Sequence, residues 1–383
     1  MKTYYLKRAD LIKFLDRLNR DYEVYIPIQA EGKSVTCDFN FKLPDADYYL
    51  EKLSRTEKEN IVFNRYRTVE PLRTFFTFPQ EKLDTSTQEK KIAIFGVKNC
   101  DLFSLKIQDF VFLGGDVSDP FYSKRRENTL LVAGDCIGFK EVCFCLALGI
   151  NPFPGNDGFD LSFSPLDEGF LVDVGSPKAD GIISKNASLF SPATANLISL
   201  RDKKRESIIK KLKEHLAPHK IPSPQLLQEV VKAGYESELW QEEALRCVEC
   251  GGCNFACDTC HCFLLADDRP QGHGLASYGQ SHRFGNANKR ARLWDACLYA
   301  NFARVAGGAN PLKYRSQRLR NRYLKKFDFF PDNLGLAACC GCGRCIDVCP
   351  AKIDIRKILR ILAETSPPWQ SEAGQGNQKP VTR

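Results

Sequence analysis

Cys247-Val-Glu-Cys250-Gly-Gly-Cys253-Asn-Phe-Ala-Cys257 is matched further along the chain by Cys339-Cys340-Gly-Cys342-Gly-Arg-Cys345-Ile-Asp-Val-Cys349-Pro350. Both read C-x2-C-x2-C-x3-C, the spacing by which a ferredoxin-type segment wraps a [4Fe–4S] cube. Three thiolates three residues apart sit on successive turns of a tight loop and cap three corners of one cube. The fourth, at the start of a helix, usually reaches the other cube of a two-cluster protein. Tetrahedral zinc has less use for this pattern, because a third thiolate three residues on is crowded or idle. Crossed ligation gives one cube to Cys247, Cys250, Cys253 and Cys349 and the other to Cys339, Cys342, Cys345 and Cys257. The uncrossed assignment, each run filling its own cube, stays open at this level. Either way the chain reads as an electron carrier.

At 383 residues the chain is long enough for two or three cores, and 43% apolar with 27% charged residues is ordinary for a globular protein. Of its 17 cysteines, six fall in 247–262 and five in 339–349. A disulfide scaffold would spread them, so the clustering argues for metal in a reducing compartment. No export signal opens the chain and no apolar run approaches a membrane span, which makes a cytoplasmic location the expectation. The sole methionine is Met1, so a methionine-ligated haem has no ligand. The net charge of +8 concentrates between Arg283 and Lys326, where twelve Lys or Arg meet one acid, Asp295. Nucleic acid is the reflex reading of such a stretch, but no helix-turn-helix, stacking or OB-like pattern accompanies it. The basic residues are expected to offset cluster and thiolate charge or to dock an acidic partner, with Lys325 and Lys326 on a solvated face.

The expected fold class is α/β (α+β): an N-terminal mixed α/β domain over 1–216, followed by a mostly helical ferredoxin-like dicluster domain. A linker and lead-in helix occupy 217–240. The dicluster domain runs 241–365 with a basic helical insertion at 273–330, and 366–383 reads as a flexible tail unless Trp369 docks on a partner. Residues 1–20 read as an amphipathic helix through Leu6, Leu11, Ile12, Phe14, Leu15 and Leu18. Val24–Ile28 and Ser34–Phe41 read as strands. Lys91–Val97 is a buried-strand run, Asn99-Cys100-Asp101 opens a helix through Phe112, and Asn128–Ala133 is a second strand. That order suggests a mixed or parallel sheet. No G-x-G-x-x-G or P-loop follows either strand, and no G-x-S-x-G or H-E-x-x-H occurs. Short strands continue to about residue 175, and Lys203–Leu216 is a charged helix.

The remaining cysteines carry a second question. Cys136, Cys143 and Cys145 fall within ten residues, two of them as C-x-C. They are candidates for a third cluster with a fourth ligand from Cys100, Cys260, Cys262 or Cys297, or else buried thiols or a redox dithiol. Cys37 and Cys340 read as packing. His261 is a candidate cluster ligand or, in preference, a hydrogen-bond partner of one. Asp258, where the ferredoxin pattern has proline after its last cysteine, would put a negative charge beside Cys257.

Four stretches together resemble one known family: Phe95-Gly-Val-Lys-Asn-Cys-Asp-Leu102; Cys136-Ile-Gly-Phe-Lys-Glu-Val-Cys-Phe-Cys145; Arg246 through Cys262; and Trp294-Asp-Ala-Cys297 through Ala306-Gly-Gly-Ala-Asn-Pro311 to the last cysteine run. The family groups the iron–sulfur electron-transfer subunits of anaerobic sulfite reductases with the beta subunits of NAD(P)-linked sulfhydrogenases. The resemblance spans about residues 90–360, in order. It implies a relay between a flavin- and NAD(P)-binding partner and a catalytic hydrogenase, sulfite reductase or heterodisulfide-reductase-like subunit. The family tends to show Cys-Pro-Thr-Cys where this chain has Cys257-Asp-Thr-Cys260, and Gly-Gly-His-Asn-Pro where it has Gly307-Gly-Ala-Asn-Pro311. Two other classes compete. A self-contained reductase would use an open cluster corner or a C-x-C dithiol beside Cys260–Cys262, and a nucleic-acid-binding iron–sulfur protein would use the basic stretch.

Overall fold

Hydrophobic alternation within continuous apolar runs builds the centre of the molecule. In β7 (Ile92–Val97), Phe95 joins the apolar cluster on one face of the sheet and Ile94 and Val97 the cluster on the other. In β8 (Thr129–Gly134), Leu130 and Val132 face one way, Leu131 and Ala133 the other. Successive side chains point to opposite faces, so a strand covered on both sides reads as an unbroken hydrophobic run. The computed structural model describes residues 2–29, 35–36, 42–43, 48–57, 60–83, 90–267 and 290–365. Cys37, the first part of the basic insertion through residue 289, and the tail from 366 with Trp369 lie outside the described residues.

Around these two strands stands a mixed sheet of eight. Its members are β1 (Lys2–Lys7), β2 (Glu23–Gln29), β5 (Tyr48–Lys52), β7, β8, β9 (Leu161–Pro165), β10 (Gly169–Val174) and β11 (Phe190–Pro192). The order is β11-β1-β10-β9-β8-β7-β2-β5. The four central strands β2, β7, β8 and β9 are parallel, and the flanking pairs are antiparallel. The short strands β3 (Val35–Thr36) and β4 (Lys42–Leu43) form a separate pair. One face of the main sheet packs against the Leu11–Leu18 helix through Phe14, Leu15 and Leu18, and the other against the Asn99–Leu113 helix through Leu102 and Leu105. Asp101 accepts the Lys98 backbone N–H at 3.2 Å, closing the first turn of that second helix.

Two expectations change. Residues 2–7 form not a helix but a strand that pairs with β10, Leu6 opposite Phe170. The ladder buries Leu6 completely, and helical periodicity starts only at Leu11. The basic insertion is helical only in part. Arg290–Trp294 is a strand, β13, lying between β12 (Phe263–Asp267) and β6 (Gln80–Lys82). The cysteine-rich half is therefore stitched by backbone pairing to a segment ahead of the sheet's centre. The charged helix starts earlier than its charges, at Ala195, where Thr194 Oγ1 accepts the Leu197 N–H. Among the described residues no helix is long and apolar enough to cross a membrane.

Candidate metal centres

The two cysteine runs adopt the same backbone. Glu249 and Gly341, each ahead of the second cysteine of its run's C-x2-C-x2-C-x3-C pattern, have φ of 57° and 64°. Gly251 and Gly343, just after it, have φ of 72° and 74°, and each opens a one-turn helix, Gly252–Phe255 and Arg344–Asp347. Glycine tolerates this left-handed region; Glu249 occupies it under strain. Its carboxylate is held by Arg315 at 3.1 Å and by Arg318. At Gly341 and Gly343 the need is steric as well. A Cβ on Gly341 would lie 2.5 Å from the Cys145 backbone, and one on Gly343 would meet the Val142 carbonyl. The loop carrying Cys143 and Cys145 thus lies directly on the second run, with Phe144 N–H donating to Gly341 O at 2.8 Å.

A cavity of about 40 Å³ opens between the runs. Cys247, Cys250 and Cys253 line it together with Cys349 from the other run, along with Cys345, Leu298, Leu319, Tyr323 and Ile353. The Cys349 sulfur accepts the Ile353 N–H at 3.4 Å. The remaining run cysteines are electrostatic neighbours: burial raises Cys345 and Cys339, and both feel the charge of Cys257 and of Cys342. Among the described residues no three His, Cys, Asp or Glu side chains gather so as to hold a single metal ion. The donor set nevertheless suits a cube. It comprises eight sulfurs on two superimposable loops, backbone close enough to pack on them, and apolar walls.

The cationic stretch explains itself here. Along the Arg315–Leu324 helix and its wider-wound continuation Lys325–Phe329, every fourth residue meets every fourth residue of the first run. Arg318 pairs with Glu249, Arg322 donates to Cys253 O at 2.9 Å, and Lys326 donates to Cys257 Sγ at 3.3 Å. Lys326 also donates to Thr259 Oγ1 at 2.8 Å and Ala338 O at 2.9 Å. Its place on a solvated face is corrected: only 4% of it is exposed, because the helix face at 318, 322 and 326 turns toward the cysteine loops. Arg292 is likewise buried on Glu81 of β6 at 3.1 Å. Four cations of the stretch, Arg292, Arg318, Arg322 and Lys326, thus turn inward, while Arg290, Arg304, Lys313 and Arg315 stay exposed.

Charge is most concentrated at the Cys257 and Cys342 end. A hydrogen bond from Cys260, against the cost of burial and aided by Lys326 and Arg322, holds Cys257 well below the ordinary thiol range. A hydrogen bond from Cys340, again against burial and aided by Arg344 and Arg67, brings Cys342 down to about 6. Burial raises Cys247, and it raises Cys253 to about 11. The fully buried Arg344 ties three segments together. It donates to Thr68 O at 3.1 Å, to Asp101 at 2.7 Å, and to Asp258. Asp258 is thus not a free negative charge: burial raises its pKa well above the carboxylate range, while Arg344 keeps Asp101 low against its own burial. Arg67, on Cys342 O at 2.8 Å and Asp347 at 2.5 Å, and Arg73, on Cys260 O at 2.6 Å and 3.5 Å above the Trp294 ring, complete the frame. Nothing in the sequence around these two arginines marked them.

The other candidates separate into two groups. Cys100, Cys143 and Cys145 are buried and Cys136 is half-buried. Burial raises all four, and Cys145 feels Cys136, Cys143 and Cys342 while Cys100 feels Cys342 and Cys145. Cys260 and Cys297 gather elsewhere, around Asn254, whose amide donates to Cys297 Sγ at 3.1 Å and Cys260 Sγ at 3.7 Å, and burial raises Cys262, which feels the charge of Cys297. His261 Nδ1 lies 3.1 Å from Thr259 O, and burial pushes its pKa down to about 4. A larger cleft of about 590 Å³ is lined by Phe103, Ile150, Phe153, Gln228 and Cys339, so it reaches the second run and not Cys260–Cys262.

Two like cysteine loops in a mixed α/β frame define an iron–sulfur protein, and the match to the 4Fe-4S dicluster domain over residues 246–353 says the same. The chain is also similar to sulfhydrogenase 2 subunit beta of Pyrococcus furiosus, 29% identical over 360 residues, covering 91% of this chain and 94% of that protein. The likeness to that beta subunit runs along nearly the whole chain, and the match to the iron–sulfur dicluster domain covers the two cysteine runs.

Proposed function

We propose that this chain is the electron-transfer subunit of a cytoplasmic oxidoreductase complex, carrying electrons between a flavin- and NAD(P)-binding partner and a hydrogenase or reductase subunit. The observation that carries the reading is the cavity that brings Cys349 of the second run, together with Cys345, against Cys247, Cys250 and Cys253. It supports crossed ligation, with Cys257, Cys339, Cys342 and Cys345 holding the second cube. Bound cubes would supply one-electron storage. The protein's own residues do the rest: Arg318 fixes the strained Glu249 turn, Arg344 locks the sheet to both runs, and Leu298, Leu319 and Ile353 give the first site apolar walls. The proposed domain limits, 1–216 for the sheet domain and 241–365 for the cluster domain, place the relay in the second. Cys100, rather than Cys260, Cys262 or Cys297, is the neighbour that would complete a third site with Cys136, Cys143 and Cys145.

The experiment is a count of iron, acid-labile sulfide and electrons accepted per anaerobically purified chain. Two cubes give about eight irons and two electrons with no turnover of NAD(P)H by the isolated chain. About twelve irons would bring the Cys100 group into the wire. Zinc in place of iron, or turnover by the chain alone, would overturn the relay.

A further inference from the structure

Of the buried cations around the two runs, three are matched by carboxylates. Arg67 has Asp347, Arg318 has Glu249, and Arg344 has Asp101 and Asp258. Lys326 differs. Its hydrogen-bond partners among the described residues are a cysteine sulfur, a hydroxyl and a carbonyl, and none is a carboxylate. A buried ammonium is costly unless an anion lies against it. Here that anion is the Cys257 sulfur. Thr259 fixes the geometry, since it accepts from Lys326, lies 3.2 Å from the same sulfur, and donates to Ala338 O at 2.7 Å, one residue before Cys339. The first site also has a buried cation on its wall, Arg322, but that cation is aimed differently. Arg315 and Arg318 are spent on Glu249, and Arg322 donates to the Cys253 carbonyl and to Cys260 Sγ at 3.5 Å, and not to the sulfur of a run cysteine.

Resting on the crossed-ligation reading above, we propose that Lys326 sets the reduction potential of the second cube. Its fixed charge on Cys257 holds that cube above the first, so an electron taken up by the chain comes to rest at the second site. The transfer within the chain is a single electron: the first cube is oxidised, the second is reduced, and no bond or proton changes hands. Hydrogen bonds and net charge are the levers by which a protein moves such potentials. Lys326 is a positioning and tuning residue, since it touches the ligand sulfur rather than a reacting substrate.

The test is a mediated redox titration of the full chain followed by electron paramagnetic resonance, with dithionite as reductant. The second cube's signal is assigned by its absence in Cys339→Ala. Lys326→Met is expected to lower that potential alone, shifting the electron's distribution between the cubes at least tenfold, about 59 mV for one electron. Lys326→Arg, which keeps the charge, is expected to restore it. If Lys326→Met loses the cube, Lys326→Gln carries the same expectation. Two fully loaded proteins with equal potentials, or a Lys326→Arg shift as large as that of Lys326→Met, would overturn the role of Lys326. A wild-type chain without cubes would instead remove the relay reading beneath it.

Discussion

Removing Arg344 should disconnect the sheet from the cluster loops. Its guanidinium is 1% exposed and lies between two fully buried carboxyls, Asp101 on the helix after β7 and Asp258 at the end of the first run. Arg344→Met preserves much of the volume but leaves both carboxyls and the Thr68 carbonyl without their donor. Breaking a buried pair from one side costs about 3–5 kcal/mol, because the surviving charge stays buried without compensation. The cost should depend on pH in a definite sense. Arg344 holds the Asp101 pKa below its unfolded value, so its stabilisation is fully present above the unfolded pKa and is lost as pH falls through the folded one. The wild-type advantage over Arg344→Met therefore shrinks in acid. Urea unfolding under anaerobic conditions, followed by sulfur-to-iron charge-transfer absorbance and by circular dichroism, measures it. Asp258→Asn in the Arg344→Met background should recover part of the loss, with a coupling of about 1 kcal/mol or more. An Arg344→Met midpoint equal to wild type at neutral pH, or a double variant that is merely additive, would refute the claim that this network joins the halves.

Three further outcomes follow from single sites. Glu70 is buried and its pKa is raised to about 7 by that burial, so native stability should fall as pH rises from the unfolded carboxylate range through 7. Glu70→Gln should gain a few kcal/mol at pH 8 and little at pH 5, since each tenfold change in proton affinity is worth about 1.4 kcal/mol; denaturation at the two pH values checks this. Gly343→Ala meets both the left-handed backbone and the Val142 carbonyl, and should cost about 3 kcal/mol or more and lower the iron content; an unchanged iron count and midpoint would contradict it. Arg73→Leu should weaken the loop through Asn254, Phe255 and Cys260, seen as faster amide exchange over 254–262.

What sequence reading recovers here is what is local. The apolar runs at 92–97 and 129–134, the Asn99 helix start and the two cysteine spacings each carry their signal within a dozen residues. The first strand misleads because Leu6 falls at helical spacing from Phe14, whereas its state is decided by β10, more than 160 residues away. The β6–β13 pairing and the seats of Arg67 and Arg73 are equally nonlocal. Lys326 misleads for a different reason. A lysine in a run of basic residues reads as solvent-facing, and only the matched four-residue steps of helix and cysteine loop show that it must turn inward.

The central claim is that the two runs exchange their fourth cysteine, and a double substitution decides it. Cys253→Ala with Cys349→Ala removes two ligands of one cube if ligation is crossed, and one ligand from each of two cubes if it is not. Iron per anaerobically purified chain should fall by about four relative to wild type, with one reducible cube's signal intact. A fall of about eight would contradict the crossed assignment on which the relay rests.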